Sequence, residues 1–325
     1  MQKIKVGVIG VGSLGQHHAR VYAELAAARL VGVADVDGAR AAVVASRHGC
    51  QAMTDFLALV GMVDAVSVVT PTLLHHDISL ACLEAGLHVL VEKPLAATVA
   101  EAQDLVAVAS RRSVTLQVGH IERFNSAFRA TRGAVKAPAL IECRRWAPFT
   151  PRGADVDVVL DLMIHDLDLV MGLVDVPVRE VQANGFAILS PTTDVAQARV
   201  VFQNGCVATF SVNRVAESKI REVRICEPEG FVVIDLAQQT ALVGRRAMGT
   251  SGRHEVLTEQ VRGDGREPLK LELEAFLDSV RTGAQPLVSG REGAAALELA
   301  GAIMDEMARH GRRESGGSAG AHHHG

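Results

Sequence analysis

The run Gly10-Val11-Gly12-Ser13-Leu14-Gly15 constrains this chain more than any other segment. It follows an apolar stretch, residues 4–9, and opens a second stretch, 14–26, with the composition of a helix. In that strand–turn–helix setting the three glycines serve distinct needs: a tight turn, close approach of backbone to a pyrophosphate, and close helix–strand packing. The helix start adds unpaired N–H groups and the positive end of a dipole. Gly10, Gly12, Ser13, Leu14 and Gly15 are therefore candidate phosphate-contacting residues. Asp35 stands twenty residues beyond Gly15, after the next β-branched run, where a carboxylate accepts from the hydroxyls of an adenosine ribose. Asp35 and Asp37 would repel a 2′-phosphate, with Arg40 as a partial counterweight. The expectation is NAD rather than NADP, and no isoalloxazine-binding element announces a flavin.

Up to residue 120, short β-branched runs (4–9, 30–34, 65–69, 88–91, 114–118) alternate with alanine-rich helical stretches (14–26, 39–48, 75–85, 99–111). That is the pattern of a parallel sheet wrapped by crossover helices. Past Phe124 the alternation stops. One helix candidate, 158–173, precedes strand candidates at 178–189, 196–202, 206–212, 222–226, 230–235 and 240–243. Consecutive strands pair most simply as antiparallel hairpins, and Asn204-Gly205 is the clearest turn. Amphipathic helices are expected at 269–281 and 292–309. The expected fold class is α/β: a doubly wound parallel Rossmann sheet over 1–121, then an α+β domain with an open, mostly antiparallel sheet over 122–310. A ligand is expected at the carboxyl ends of the parallel strands. The Gly/Ser/His-rich tail, 311–325, is expected to be disordered.

Composition narrows the function. A length of 325 residues suits two domains at roughly 150 each. With a net charge of −4, one Trp and one Tyr, the chain lacks the basic field and stacking surface of a nucleic-acid binder. Tyr-x-x-x-Lys chemistry is excluded, because Tyr22 is followed at that offset by Ala26. The five cysteines (50, 82, 143, 206, 226) show no C-x-x-C spacing, so no metal site is expected, and they read as reduced thiols of a cytoplasmic protein. No apolar run reaches the ~18 residues of a membrane span.

Two further constellations carry chemistry. Glu92-Lys93-Pro94 ends a strand on the same sheet edge as the glycine loop, and Pro94 disfavours helical geometry at Lys93. In the second half, Asp161 and His165 are four residues apart on a helix candidate, about 40° apart at 100° per residue, and Asp168 continues the face. Asp161 could orient His165, whose side chain suits proton transfer.

Together with Thr70-Pro71-Thr72 and His75, these segments resemble the family of glucose–fructose oxidoreductase, inositol dehydrogenase and MocA (Gfo/Idh/MocA) over about residues 3–310. The resemblance implies NAD(P)-dependent oxidation of a sugar or cyclitol hydroxyl and a homodimer or homotetramer joined through the C-terminal sheet. It places Lys93, Asp161 and His165 on catalytic positions, and Thr70, Pro71, His75 and Glu92 on cofactor-facing ones. The segments 119–125 and 159–168 look like the branch that oxidises the 3-hydroxyl of UDP-N-acetylglucosamine. A free polyol or sugar as substrate, and a non-catalytic NAD-sensing regulator, remain as alternatives. A nucleotide sugar would need groups for a diphosphate and a base. Arg123, Asn125, Trp146 and Arg152 are the candidates, with Arg144, Arg145 and Arg214 as further arginines.

Overall fold

The computed structural model describes residues 2–151, 155–249 and 252–317, with side chains through Arg309. In chain order the first elements are β1 (Ile4–Ile9), α1 (Gly15–Glu24), β2 (Ala28–Ala34), α2 (Gly38–His48), β3 (Gln51–Met53), β4 (Ala65–Val68), α3 (His75–Glu84), β5 (His88–Glu92), α4 (Val99–Arg112) and β6 (Leu116–Gly119). Then come α5 (Ser126–Arg132), β7 (Leu140–Trp146), a π turn (Val159–Met163) running into α6 (Ile164–Val174), β8 (Val178–Phe186), β9 (Val195–Phe202) and β10 (Val207–Asn213). The remainder is β11 (Ile220–Glu227), β12 (Gly230–Asp235), β13 (Thr240–Met248), β14 (His254–Arg262), α7 (Pro268–Thr282) and α8 (Gly290–Gly317). Two compact units result: Met1–Phe124 with Arg266–Leu297, and Asn125–Gly265 with Glu298–Gly325.

In the first unit six strands lie in the order β3-β2-β1-β4-β5-β6, every neighbouring pair parallel. Such a sheet is covered on both faces, which is why β4 (Ala65-Val66-Ser67-Val68) is buried throughout. The one polar member, Ser67, is matched: its Oγ lies 2.9 Å from the Tyr22 hydroxyl of α1. Helix starts carry their own chemistry. Asp37 caps α2 by accepting from Arg40 N–H, and Thr98 with Glu101 forms a reciprocal capping box on α4. Strand order reverses between β1 and β4, which puts the glycine loop at the topological switch point.

The segment 266–297, expected with the second domain, packs in the first. Leu269, Leu273, Phe276 and Leu277 of α7 complete a core with Val6, Val8, Ala19, Tyr22 and Leu90. An amphipathic pattern says that a face will be buried but not against what.

The second unit holds an eight-stranded sheet in the order β14-β13-β12-β11-β7-β10-β9-β8. All pairs are antiparallel except β7 with β10, a parallel pair that joins the β8–β9–β10 meander to the rest of the sheet. The Asn204-Gly205 turn joins β9 to β10, with Gly205 at φ +87° and Cys206 N–H donating to the Asn204 side chain. One face is dry. Ile141 and Cys143 of β7 pack with Phe128 of α5, Met163, Leu167 and Val170 around α6, and Leu299, Ala300 and Ile303 of α8. The opposite face is an open polar cavity of about 660 Å³ that includes Glu142, Arg144, Trp146, Gln197, Arg199 and Ser211.

Four elements had no counterpart in the sequence reading: β3, α5, β7 and β14. Helix α8 is assigned through Gly317, so it runs into the stretch expected to be disordered; residues 318–325, with His322, His323 and His324, lie outside the described residues.

Candidate functional site

Each unit contributes candidate residues, and each is described on its own. In the first, Gly10 leaves β1 at φ +83°, and a Cβ there would sit 2.6 Å from the Val69 carbonyl oxygen. A Cβ on Gly15 would fall 1.8 Å from the Gly10 carbonyl oxygen, whereas nothing lies within 4 Å of one on Gly12. Turn, close packing and open approach are thus divided among the three positions as the spacing predicts. Leu14, the residue preceding α1, offers no side-chain cap; within the first turn Gln16 N–H donates to the Gly12 carbonyl and His17 N–H to the Leu14 carbonyl.

Asp35 follows β2 and is nearly buried. Its Oδ2 accepts from Val11 N–H at 2.9 Å and its Oδ1 from Asp37 N–H at 2.9 Å, which ties the carboxylate to the glycine loop itself. Arg40 Nη1 lies 3.2 Å from Asp35 Oδ1, and Arg40 Nη2 lies 3.1 Å from Asp37. The guanidinium is held by two carboxylates, so the counterweight to phosphate repulsion is neutralised where it stands. A diphosphate at the open Gly12 and a ribose at Asp35 fit this geometry, and the fit favours NAD. Two exposed apolar side chains were not singled out from the sequence: Val36, directly after Asp35, and Leu73, in the 3-10 turn Thr72–Leu74 beyond β4, at 92% and 81% exposure.

Glu92, Lys93 and Pro94 follow β5. The Lys93-Pro94 peptide bond is cis. Glu92 Oε1 lies 3.1 Å from His18 Nε2 of α1, and its Oε2 accepts from Lys93 N–H at 3.2 Å. Burial alone would raise the Glu92 carboxyl, but the hydrogen bond and charge of His18, with Lys93, hold it below the ordinary carboxylate range. Thr70 packs its methyl against Gly10, and its Oγ1 is buried without a partner. Pro71 is exposed. His75 was expected to face a cofactor, but it is buried, with Nδ1 2.8 Å from the Pro94 carbonyl and Nε2 2.9 Å from the Thr70 carbonyl. It ties the two turns together from beneath. Burial pushes its pKa down, against the two carbonyl contacts.

In the second unit Asp161 and His165 are both partly exposed. The i→i+5 bond from Ile164 N–H to Val159 O lies across the pair, so the uniform 100° per residue assumed from sequence does not hold there. Asp168, which continues that face in the sequence, is buried. Neighbouring Asp166 is buried against Arg145: Nε sits 3.1 Å from Oδ2 and Nη2 2.7 Å from Oδ1.

Of the arginines and other groups considered for a nucleotide, several are committed elsewhere. Arg214 is buried, donating to Asp194 at 2.7 Å, to Ser190 Oγ at 2.8 Å and to the Val156 and Thr193 carbonyls at 2.6 and 2.9 Å. Asp194 also accepts from the N–H groups of Ile188, Leu189 and Ser190 and from the Ser190 hydroxyl at 2.6 Å; burial raises its pKa, but the Ser190 hydroxyl and N–H, Arg214 and the Ile188 N–H outweigh it and hold the carboxyl far below the ordinary Asp range. Asn125 caps α5 through Oδ1 and donates Nδ2 to Leu236 O at 2.9 Å, so its amide serves the backbone. Trp146 donates Nε1–H to Ser211 at 3.1 Å, with Arg144 5.9 Å from its ring centroid. Because Arg145 points to α6, Trp146 lies on the other side of the sheet from the helix of His165. Arg123 is buried in a 3-10 turn, Ile121–Phe124. Arg152 lies outside the described residues. Among the described residues no group of three His, Cys, Asp or Glu is arranged to hold a metal ion, and no helix is long and apolar enough to cross a membrane.

A Rossmann sheet with this loop and acidic strand end defines an NAD-binding oxidoreductase. A model described as an oxidoreductase family with an NAD-binding Rossmann fold matches residues 4–120, and one of the GFO/IDH/MocA C-terminal domain matches 115–233. The chain belongs to the GFO/IDH/MocA family. A UDP-N-acetylglucosamine 3-dehydrogenase of Acidithiobacillus ferrooxidans is 38% identical over 93% of this chain and 98% of its own length. A solved structure of the enzyme of that name from the same organism superposes with a TM-score of 0.89 at 37% identity, covering 94% and 98% of the two chains. A myo-inositol 2-dehydrogenase of Thermotoga maritima is 28% identical over 91% and 94%.

Proposed function

We propose that this oxidoreductase converts a secondary sugar hydroxyl to a ketone, and that its substrate is UDP-N-acetylglucosamine, oxidised at the 3-hydroxyl. The observation that carries the reading is the 38% identity to a UDP-N-acetylglucosamine 3-dehydrogenase along nearly the whole of both chains. NAD, when bound, supplies the acceptor for the hydride that leaves the carbinol carbon. The chain's residues do the rest. Gly10 to Gly15 and Asp35 bind the cofactor, and Glu92, Thr70 and His75 hold the strand ends that carry it. Lys93 hydrogen-bonds the hydroxyl oxygen and stabilises negative charge as it develops. His165, oriented by Asp161, or Lys93 itself accepts the hydroxyl proton. Arg145 and Arg214 are set aside for the diphosphate because their donors are spent inside the protein, and Arg123 and Arg152 are carried forward on the sequence reading alone.

A cytoplasmic homodimer or homotetramer joined through the open sheet face belongs to the same reading, supported by the five free cysteines and by that polar, uncovered face. Light scattering on the purified chain and on an Arg144→Glu variant tests the assembly. The inositol-type relative supports a second reading, oxidation of a free polyol. UDP-N-acetylglucosamine, N-acetylglucosamine, glucose and myo-inositol, each with NAD and NADP and followed by absorbance of reduced cofactor, separate the two. The proposal expects turnover with the UDP-sugar and NAD; turnover with myo-inositol alone overturns it.

A further inference from the structure

We infer that His18 is a positioning residue for the reaction, acting through Glu92 on the strand end that presents Lys93. The inference rests on the role of Lys93 given above and goes beyond it. Gly15 fixes α1 tightly against the glycine loop, and His18 lies three residues further along, on a neighbouring part of the same helix surface. There it is 1% exposed, and its Nε2 faces the Glu92 carboxylate at 3.1 Å. The other ring nitrogen, Nδ1, is buried without a partner. A ring held for packing alone would not be a histidine, since the orphaned nitrogen carries a desolvation cost that a leucine avoids. What offsets that cost is the single contact to Glu92, with Nε2–H donating.

Glu92 in turn passes the constraint on. Its second oxygen accepts from Lys93 N–H, and Gly119 of β6 leaves just enough room, since a Cβ there would meet the carboxyl at 3.0 Å. Among the described residues, the charged or titratable groups that act on this carboxylate include His18 on α1, Lys93 on its own strand end and His75 at the start of α3, and buried His120 follows Gly119 at the end of β6. Lys93 is thus bracketed, with Glu92 pinned by His18 on one side and Pro94 pinned by His75 on the other. With the His18 donor gone, burial prevails at Glu92 and its carboxyl takes up a proton at higher pH, releasing its hold on the Lys93 backbone.

The test compares His18→Leu, which removes the donor, with His18→Gln, whose amide N–H restores one at similar reach. For His18→Leu we expect kcat to fall about 10- to 100-fold, the KM for NAD to stay within about twofold, and the acid limb of the kcat–pH profile to move upward. His18→Gln should recover most of kcat and return the limb to its wild-type position. A readout free of cofactor accompanies these: the pH dependence of Lys93 acylation by acetic anhydride, read by peptide mapping, shifts in His18→Leu and not in His18→Gln. Equal impairment of the two variants, or an unmoved limb and labelling profile in His18→Leu, overturns the inference. If His18→Leu does not fold, Glu92→Gln and His18→Gln carry the test: loss of the acid limb's Glu92 component in the former with recovery in the latter supports it, and a wild-type profile in Glu92→Gln overturns it. Full turnover by Lys93→Ala would sink the role of Lys93 itself; loss there with wild-type behaviour of His18→Leu sinks only the inference.

Discussion

The Arg40 cluster of the first unit and two buried pairs of the second use arginine and carboxylate differently. In the first, Arg40 is 48% exposed and balances Asp35 and Asp37 at the tips of strands, where the same carboxylate also steadies the glycine loop. In the second, the Arg145–Asp166 and Arg214–Asp194 pairs have side-chain exposures of 3%/3% and 7%/0%, with their donors spent on the protein. A charge at a strand tip keeps capacity for a ligand. One saturated in a core cannot recognise anything without first unmaking its own bonds, which leaves a buried ion unpaired. The difference separates ligand-facing chemistry from scaffold, and residue type alone does not reveal it.

Substitutions can break that comparison. The largest effect is expected for Arg214→Ala, which takes the cationic partner from the buried Asp194 carboxylate and leaves it to neutral donors, the N–H groups of Ile188, Leu189 and Ser190 and the Ser190 hydroxyl. A loss of about 3–5 kcal/mol in urea unfolding is expected, and a loss under about 1 kcal/mol would show that the pair is not structural. Its pH dependence has a definite sign. Asp194 is held below its unfolded value, so its contribution is fully present above about pH 4 and fades only as pH falls through the folded value. The stability gap between wild type and Asp194→Asn should therefore stay level from about pH 7 to 5 and narrow in stronger acid.

Next in size is Asp35→Ala. Removing the carboxylate releases Arg40 and should improve the kcat/KM ratio of NADP to NAD by about tenfold or more, the worth of one charged contact. An unchanged ratio would place cofactor choice elsewhere. Asn125→Ala should cost about 1 kcal/mol or somewhat more through its cap and the Leu236 contact, while kcat/KM for the sugar changes little. A rise in KM with intact stability would return Asn125 to the substrate. The smallest effect belongs to His76, which lies 3.0 Å from both Asp77 and Asp104. Burial lowers its pKa, but these carboxylates outweigh it and raise the value overall. His76→Gln should cost a few tenths of a kcal/mol near pH 6 and nothing by about pH 9, because that contribution is lost as pH rises through the folded value.

What was legible in the sequence follows from distance along the chain. The glycine loop, Asp35 and the Glu92-Lys93-Pro94 turn are local devices whose chemistry is written within a few residues. The strand β7 was not, because Arg144-Arg145-Trp146 reads as a surface run until Arg145 meets Asp166, 21 residues away. Helix α7 announced a buried face yet not its partner, the core around Tyr22 and Val8. His75 was placed near the cofactor by its motif, but only the fold shows it beneath the turns, and His18 carried no sequence signal beyond following Gly15 by one helical turn.

The account stands most directly on Lys93. Turnover of UDP-N-acetylglucosamine by Lys93→Ala should be measured alongside NAD binding by calorimetric titration of the same preparation. The expected result is a fall in kcat of about 10²- to 10⁴-fold with the Kd for NAD within about twofold of wild type. Retained turnover with NAD binding intact would contradict it.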